Sequence, residues 1–278
     1  MKHIHPTAIV APGARIGDGA RIGPWCTLGA DVVIEAGATL ISNVVVDGHT
    51  RIGEGAMLYP FCTVGLAPQD LKYRGEPTRC EVGARTQVRE FVTIHRGTVT
   101  GTGLTSVGEG CLLMGCSHVA HDCTLGRGVV VANNSVMGGH VHIGDNVIVG
   151  GASAIHQFVR IGRGAIIGGM SGVERDVIPF GSVTGNRASL DGLNIVGLKR
   201  RGFERSAIHA LRAAFRELFL GQGVFADRLA EVRMRLGDEP LVGEVLAFID
   251  APSKRGLIRS AVAIEFDEDE DVPAASPA

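Results

Sequence analysis

The chain has 278 residues, enough for one large domain and a smaller one, with 20 % charged and only 5 % aromatic residues and a formal charge of −2. That balance excludes a surface built to hold nucleic acid or a membrane. No run of about eighteen apolar residues is present to span a bilayer, and no signal peptide precedes the first apolar repeat at Ile4, so a cytoplasmic protein is expected.

From Ile4 an aliphatic residue recurs at every sixth position: Ile4, Val10, Ile16, Ile22, Leu28, Ile34, Leu40, Val46, Ile52, Leu58 and Val64. The pattern resumes at Val82, Val88 and Ile94, then runs from Val107 through Leu125, Met137 and Ile155 to Val173. An amphipathic helix repeats every 3.6 residues and a half-buried strand every two, so neither produces six. A six-residue repeat marks a parallel β-helix in which each short strand and its turn supply one inward side chain. Three hexads make a triangular coil, stacking residues eighteen apart at about the 4.7–4.9 Å strand spacing. Glycine follows many of the aliphatic residues, as at Gly17, Gly23, Gly53 and Gly83, and such corners are expected to need backbone geometry that glycine adopts at least steric cost.

The β-helix is expected over residues 1–190, with insertions at 65–81 and 100–106. The first, GLAPQDLKYRGEPTRCE, is polar and punctuated by Pro and Gly, with Asp70 and Glu76 where aliphatic residues are due. It is expected to reach a ligand or a neighbouring subunit. The second makes the step from Ile94 to Val107 thirteen, read as one residue bulging out. The hexads stop near Pro179, and a stretch rich in Gly, Asn and Ser leads to about Gly197. The period then becomes helical: Phe203, Ile208, Leu211, Phe215, Leu218 and Phe219 share a face, Gly221 and Gly223 end that helix, and further helices are expected over 225–236 and 241–250. This all-α domain, 191–259, would cap the open end of the prism, whose unpaired strand edge invites aggregation. The tail, 260–278, carries six acids within 265–271 and reads as disordered; without them the formal charge becomes +4. The six cysteines include no CxxC pair and read as free, small apolar residues.

Six of the ten histidines lie between His95 and His156. Stacking by eighteen places Gly139 one coil above His121 and His140 one coil above Asp122. A histidine can serve as general base, a carboxylate can orient it, and an exposed peptide N–H can stabilise an oxyanion. These roles fall to His121, Asp122 and Gly139. A basic stretch with Lys199, Arg200, Arg201, Arg205, Arg212 and Arg216, joined by Lys254 and Arg255, is either a solvated face or a docking surface for an acidic protein or a phosphate-bearing ligand.

The motifs HPTAIV at 5–10, QDLKYRGEPT at 69–78, TIHRGT at 93–98, HVAHDC at 118–123, GGASAIHQF at 151–159 and GLKRRGF at 197–203 carry a resemblance to the UDP-N-acetylglucosamine O-acyltransferases of lipid A biosynthesis. The resemblance covers about His3 to Arg259, with VANNS at 131–135 and RGLIR at 255–259 continuing it. It implies a homotrimer of left-handed β-helices with active sites between neighbours, a handedness outside the usual crossover rule. The implied reaction moves an (R)-3-hydroxyacyl chain from acyl carrier protein to the 3-hydroxyl of UDP-N-acetylglucosamine, without cofactor or metal.

His121 matches the family's general base and Gly139 its oxyanion donor, with Asp122 orienting His121. Asp70, Lys72, His95, His118, His140, His156, Gln157, Asn194 and Arg200 fall on substrate-binding positions. The acyl pocket would involve Gly169, Met170 and Arg187, and carrier docking Arg201, Arg205, Arg212, Arg216, Lys254 and Arg255. Two departures stand out. Val196 replaces a glutamate beside the nucleotide site, and Arg187 replaces a histidine at the acyl pocket, which Met170 is bulky enough to shorten.

Three other readings stay open on the residues: the same transfer to a 3-amino sugar nucleotide, a zinc-dependent β-helix carbonic anhydrase, and an inert structural prism. Against zinc, HVAHD at 118–122 has ligand-like spacing but lacks the H-x4-H pair of that family. Against an inert prism stand His121 and the polar insertion.

Overall fold

A computed structural model describes residues 1–260, so the acidic tail, from residue 261 on, lies outside the described residues. Short strands, most of two residues, assemble into three sheets of eleven, nine and eight strands, and successive strands fall on successive sheets. Parallel pairing joins Ile4 to Ile22, Val119 to Met137 and Ile143 to Ile161, eighteen residues apart. The fold is therefore a parallel β-helix of triangular section. Its inward aliphatic column, from Ile22 to Val173, is buried in one apolar cluster that continues into the C-terminal helices.

Both interruptions are longer or shorter than counting in sixes suggests. Strands Thr63–Leu66 and Arg79–Val82 extend at the base of the first, so the excursion is 67–78 and not 65–81. The second leaves at Arg96 and returns at Gly103, ahead of the strand Leu104–Val107. Ile94 and Val107 lie on consecutive sheets one hexad apart, so seven residues are extruded where the sequence suggested one. Counting modulo six cannot distinguish one extra residue from seven. The register records both insertions, widening from eighteen to thirty between Ile52 and Val82 and to twenty-five between Val82 and Val107.

The glycines after the aliphatic residues serve a different purpose from the one expected. Gly17, Gly23, Gly53 and Gly83 have ordinary backbone angles. A Cβ at Gly17 would stand 2.7 Å from the Ala36 nitrogen, and one at Gly53 2.5 Å from the Ala84 nitrogen. Close approach of stacked coils excludes a side chain there. The left-handed backbone falls two residues later, and on one edge it is taken by Trp25, Asn43, Phe61, Phe91, Cys116, Asn134, Ala152 and Met170. Trp25, Phe61, Phe91 and Met170 are exposed, and the Phe61 and Phe91 rings stack at 5.2 Å.

The Gly/Asn/Ser stretch forms an antiparallel hairpin, Gly181–Thr184 with Ser189–Leu193, that extends the eleven-stranded sheet past residue 190. Helices α1 (Ile195–Arg200), α2 (Arg205–Leu220), α3 (Phe225–Leu236) and α4 (Pro240–Asp250) follow. The first has no counterpart in the sequence reading, because its one buried residue, Leu198, gives no periodicity. Helix α2 buries Ile208, Leu211, Phe215, Leu218 and Phe219. Arg163 holds α4 to the prism through Glu244, with Nε donating at 2.9 Å. Five cysteines are buried, Cys116 is exposed, and all six are free.

Candidate active site

One edge of the prism, between the nine- and eight-stranded sheets, carries both excursions and the histidine cluster. Asp122, His140 and Phe158 stack there on successive coils, all with positive φ near 60°. The His140 N–H donates to the His121 carbonyl at 3.0 Å and the Phe158 N–H to the Gly139 carbonyl at 3.1 Å. The coil repeat thus places Asp122 beneath His140 and His121 beneath Gly139.

Asp122 is fully buried and saturated with donors. Its Oδ2 receives His121 Nδ1 at 2.8 Å and Thr98 Oγ1 at 2.6 Å. Its Oδ1 receives the Gly103 N–H at 3.0 Å and Thr102 Oγ1 at 3.2 Å, and the Thr98 N–H reaches both oxygens. Burial works to raise the carboxyl pKa, but the bonds from His121 and Thr98, with the field of His140, hold it well below the usual carboxylate range. An ionised acceptor on Nδ1 fixes the His121 tautomer and leaves Nε2 as the free base. The excursion 96–103 therefore forms a hydrogen-bond cage around the carboxylate. Thr98, Thr102 and Gly103 were not among the sequence candidates; TIHRGT contains Thr98, but no spacing rule connects it to Asp122.

The His121 ring lies on the Gly139 backbone, where an added Cβ would meet its Cε1 at 2.5 Å and Nε2 at 2.7 Å. Gly139 is buried rather than exposed, because that ring covers it. Its N–H makes no hydrogen bond among the described residues. His95 and His118 meet edge to face at 4.8 Å, and His118 Nδ1 lies 2.6 Å from Thr93 Oγ1. Burial, then the neighbouring His118 and His121, push His95 down to about 4; burial and His121 also lower His118. Both are therefore neutral at pH 7.

Other site candidates are dispersed. Asp70 and Lys72 sit on the 67–78 excursion, where Asp70 Oδ1 accepts the Lys72 N–H at 2.9 Å. His156 and Gln157 are exposed on the upper coil of the histidine edge. Asn194 caps α1, accepting the Gly197 N–H at 2.9 Å and donating to the Gly164 carbonyl at 2.9 Å, on a second edge. Arg200 ends α1, exposed, and Val196 is exposed on the same helix. Gly169 and Met170 occupy the third edge, and Arg187 is exposed in the hairpin turn.

Arg205, Arg212 and Arg216 form one exposed stripe along α2, while Arg201 donates to the Asn146 carbonyl at 2.7 Å. Lys254 and Arg255, grouped with that surface by sequence, lie instead on the histidine edge. Lys254 Nζ is 4.2 Å from the Phe158 ring centroid, and Arg255 contacts the His156 ring. The chain segment after α4 folds back onto the prism, which proximity in sequence could not reveal.

His121, Asp122 and His140 bring potential metal-ligating atoms within 4.8 Å of one another. The donor set does not suit a metal ion. Each Asp122 oxygen is already filled by N–H and O–H donors, and the carboxylate has no exposed surface through which an ion could reach it.

Residues 176–258 match the family Udp N-acetylglucosamine O-acyltransferase, Domain 2, and residues 104–139 match Bacterial transferase hexapeptide (six repeats). The acyl-[acyl-carrier-protein]–UDP-N-acetylglucosamine O-acyltransferase of Caulobacter vibrioides is 54 % identical over 254 residues, 91 % of this chain and 97 % of that protein. The enzyme of the same name from Azorhizobium caulinodans is 49 % identical over 266 residues, 96 % of this chain and 98 % of its own. The crystal structure of UDP-N-acetylglucosamine O-acyltransferase from Moraxella catarrhalis superposes with a TM-score of 0.89 at 41 % identity, covering 92 % of this chain and 99 % of that one.

Proposed function

Because the chain belongs to the acyl-[acyl-carrier-protein]–UDP-N-acetylglucosamine O-acyltransferase family, we propose that His121 is the general base of its transfer reaction. The chain is an acyltransferase that moves an (R)-3-hydroxyacyl group from acyl carrier protein to the 3-hydroxyl of UDP-N-acetylglucosamine, the first step of lipid A biosynthesis. The observation that carries the assignment of the base is the His121 ring, bonded to Asp122, lying against the Gly139 backbone.

In this mechanism His121 Nε2 takes the 3-hydroxyl proton as the oxygen attacks the thioester carbon. Asp122 stabilises the imidazolium without itself being protonated. The negative charge forming on the thioester oxygen is met by the Gly139 N–H once the His121 ring moves aside. Collapse of the tetrahedral intermediate breaks the carbon–sulfur bond, and the departing thiolate recovers the proton from His121.

Asp70, Lys72, His95, His118, His140, His156, Gln157, Asn194 and Arg200 are proposed to hold the sugar nucleotide, and Gly169, Met170 and Arg187 to bound the acyl chain. These groups occupy three different edges, so one prism cannot bring them to a single pocket. A homotrimer of left-handed β-helices resolves this by setting an edge of one copy against a different edge of the next. The exposed Trp25, Phe61, Phe91 and Met170 supply an apolar edge for that contact. The α2 stripe of Arg205, Arg212 and Arg216 is the proposed docking surface for the acidic carrier, and the cytoplasm the proposed site of action.

Mass spectrometry of products from UDP-N-acetylglucosamine and its 3-amino analogue, each offered with hydroxyacyl carriers from C10 to C16, tests the acceptor and the chain length together. An ester at the 3-position is expected. Product from the amino analogue alone would replace this reading with N-acylation.

A further inference from the structure

The segment after α4 is held against the last coil as a strap. The Asp176 N–H donates to the Gly256 carbonyl at 2.8 Å, the Ile258 N–H to the Asp176 carbonyl at 2.9 Å, and the Leu190 N–H to the Arg259 carbonyl at 2.9 Å. Asp176 is itself buried and receives Arg160 Nε at 2.7 Å. So anchored, the strap sets Lys254 over Phe158, with the ammonium 4.2 Å from the ring centroid. Phe158 lies parallel to His140 at 4.4 Å, and His140 meets His121 edge-on at 5.0 Å. A parallel ring that close fills one face of Phe158, which leaves the other face for Lys254.

We propose that Lys254 is a positioning residue of the transfer reaction: its charge on the far face of Phe158 keeps His140 uncharged and stacked, so that the proton withdrawn from the acceptor rests on His121. The inference builds on the acyltransferase reading but concerns a residue outside the base, the oxyanion donor and the substrate contacts.

The two imidazoles compete for one carboxylate. His121 Nδ1 is 2.8 Å and His140 Nδ1 3.9 Å from the same Asp122 oxygen. A charged His140 would draw that oxygen and oppose a second positive charge on His121 five ångströms away. Around His140, Asp122 favours the charged form, whereas burial, His121, Lys254 and His142 disfavour it, burial most of all. Phe158 gives the selection its geometry. The ring attracts a cation to its face, and with Lys254 already in place a second cation opposite would face the first across one ring.

The test uses the full-length protein labelled at histidine Cε1, with the His140 resonance assigned by its loss in His140→Asn. Lys254→Met keeps the stem and removes the charge, and Lys254→Arg restores a cation. In Lys254→Met the NMR titration midpoint of His140 is expected to rise by about half a pH unit. The acid limb of kcat/KM should move to higher pH by a similar amount, and Lys254→Arg should match the wild type in both. An unmoved His140 midpoint overturns the proposal, and so does a moved midpoint with an unmoved acid limb. A salt-dependent rise in the carrier KM, with both midpoints unchanged, would instead make Lys254 a docking residue. Should the protein transfer no acyl group at all, the acyltransferase reading fails, while the His140 midpoint still reports whether Lys254 acts on it.

Discussion

At the scale of single residues the proposed site is a base, His121, its carboxylate Asp122 and the donors that hold that carboxylate in place. Replacing His121 with alanine removes the group proposed to take the hydroxyl proton, so kcat should fall by about 10²–10⁴ with sugar-nucleotide binding nearly intact. Thr98→Val removes the 2.6 Å bond to Asp122, with a 3.2 Å contact to Thr100 Oγ1, and leaves the His121–Asp122 pair in contact. Its kcat should fall roughly tenfold with both KM values little changed, as measured in steady state. Retention of more than about a tenth of wild-type kcat by folded His121→Ala would assign the base elsewhere.

A second residue-scale expectation concerns acid. His95 is 7 % exposed and held to about 4, below the ordinary imidazole value, so between about 6.5 and 4 the unfolded chain binds a proton that the folded chain refuses. The stability contributed by neutral His95 is complete above about pH 6.5 and is lost as the pH falls towards 4, by roughly 3 kcal/mol over that window. Asp122, whose pKa is lowered, holds its contribution until still lower pH. Urea midpoints at fixed protein concentration should therefore drop between pH 7 and 4, and His95→Gln should flatten the drop. His121, Asp122 and Gly139 were legible in the sequence because stacking by eighteen is simple arithmetic. The Thr98 cage was not, since it depends on how an extruded loop folds back.

Among the elements, coils and loops obey different constraints. A coil corner tolerates a side chain only where the next coil leaves room. Gly53→Ala would drive its Cβ to 2.5 Å from the Ala84 nitrogen, whereas Gly110 has nothing within 4 Å and only a positive φ of 67° to satisfy. Thermal unfolding should show Gly110→Ala costing about 1 kcal/mol and Gly53→Ala at least twice that. The helices raise a question of charge. Arg205, Arg212 and Arg216 lie on one face of α2, separated by seven and four residues, and so share a stripe. Arg212→Glu with Arg216→Glu should raise the carrier KM severalfold while sparing the sugar-nucleotide KM, and added salt should reduce the difference. Equal effects on both substrates would mean that the stripe is a solvated face.

For the whole molecule, the prism separates its candidate functional groups by edge. The histidine edge carries the proposed base, both excursions and the returning C-terminal strap. A second edge receives Asn194 and Arg201. The third exposes aromatic side chains in left-handed backbone, a conformation that costs each of them roughly 1–2 kcal/mol. Placing that strain and that apolar surface together is consistent with burial against another copy. Phe61→Glu with Phe91→Glu should therefore lower the mass seen by light scattering and lower activity in parallel. A fully active monomer would sink the trimer and the shared site with it.

What the sequence alone determined is whatever repeats: the aliphatic hexad, the stacking by eighteen, the passage from prism to helices and the coincidence of His121, Asp122, His140 and Gly139. These follow from local chain geometry, in which each coil copies the last and a position in the sequence is a position in space. What the tertiary structure decided lies where the repeat is broken. The two extruded loops share an edge, Thr98 closes on a carboxylate 24 residues away, and Lys254 returns to a ring nearly a hundred residues earlier. No period relates those partners. Their meeting depends on where a loop or a strap finds buried hydrogen-bond partners, and that is fixed only when the coils are assembled.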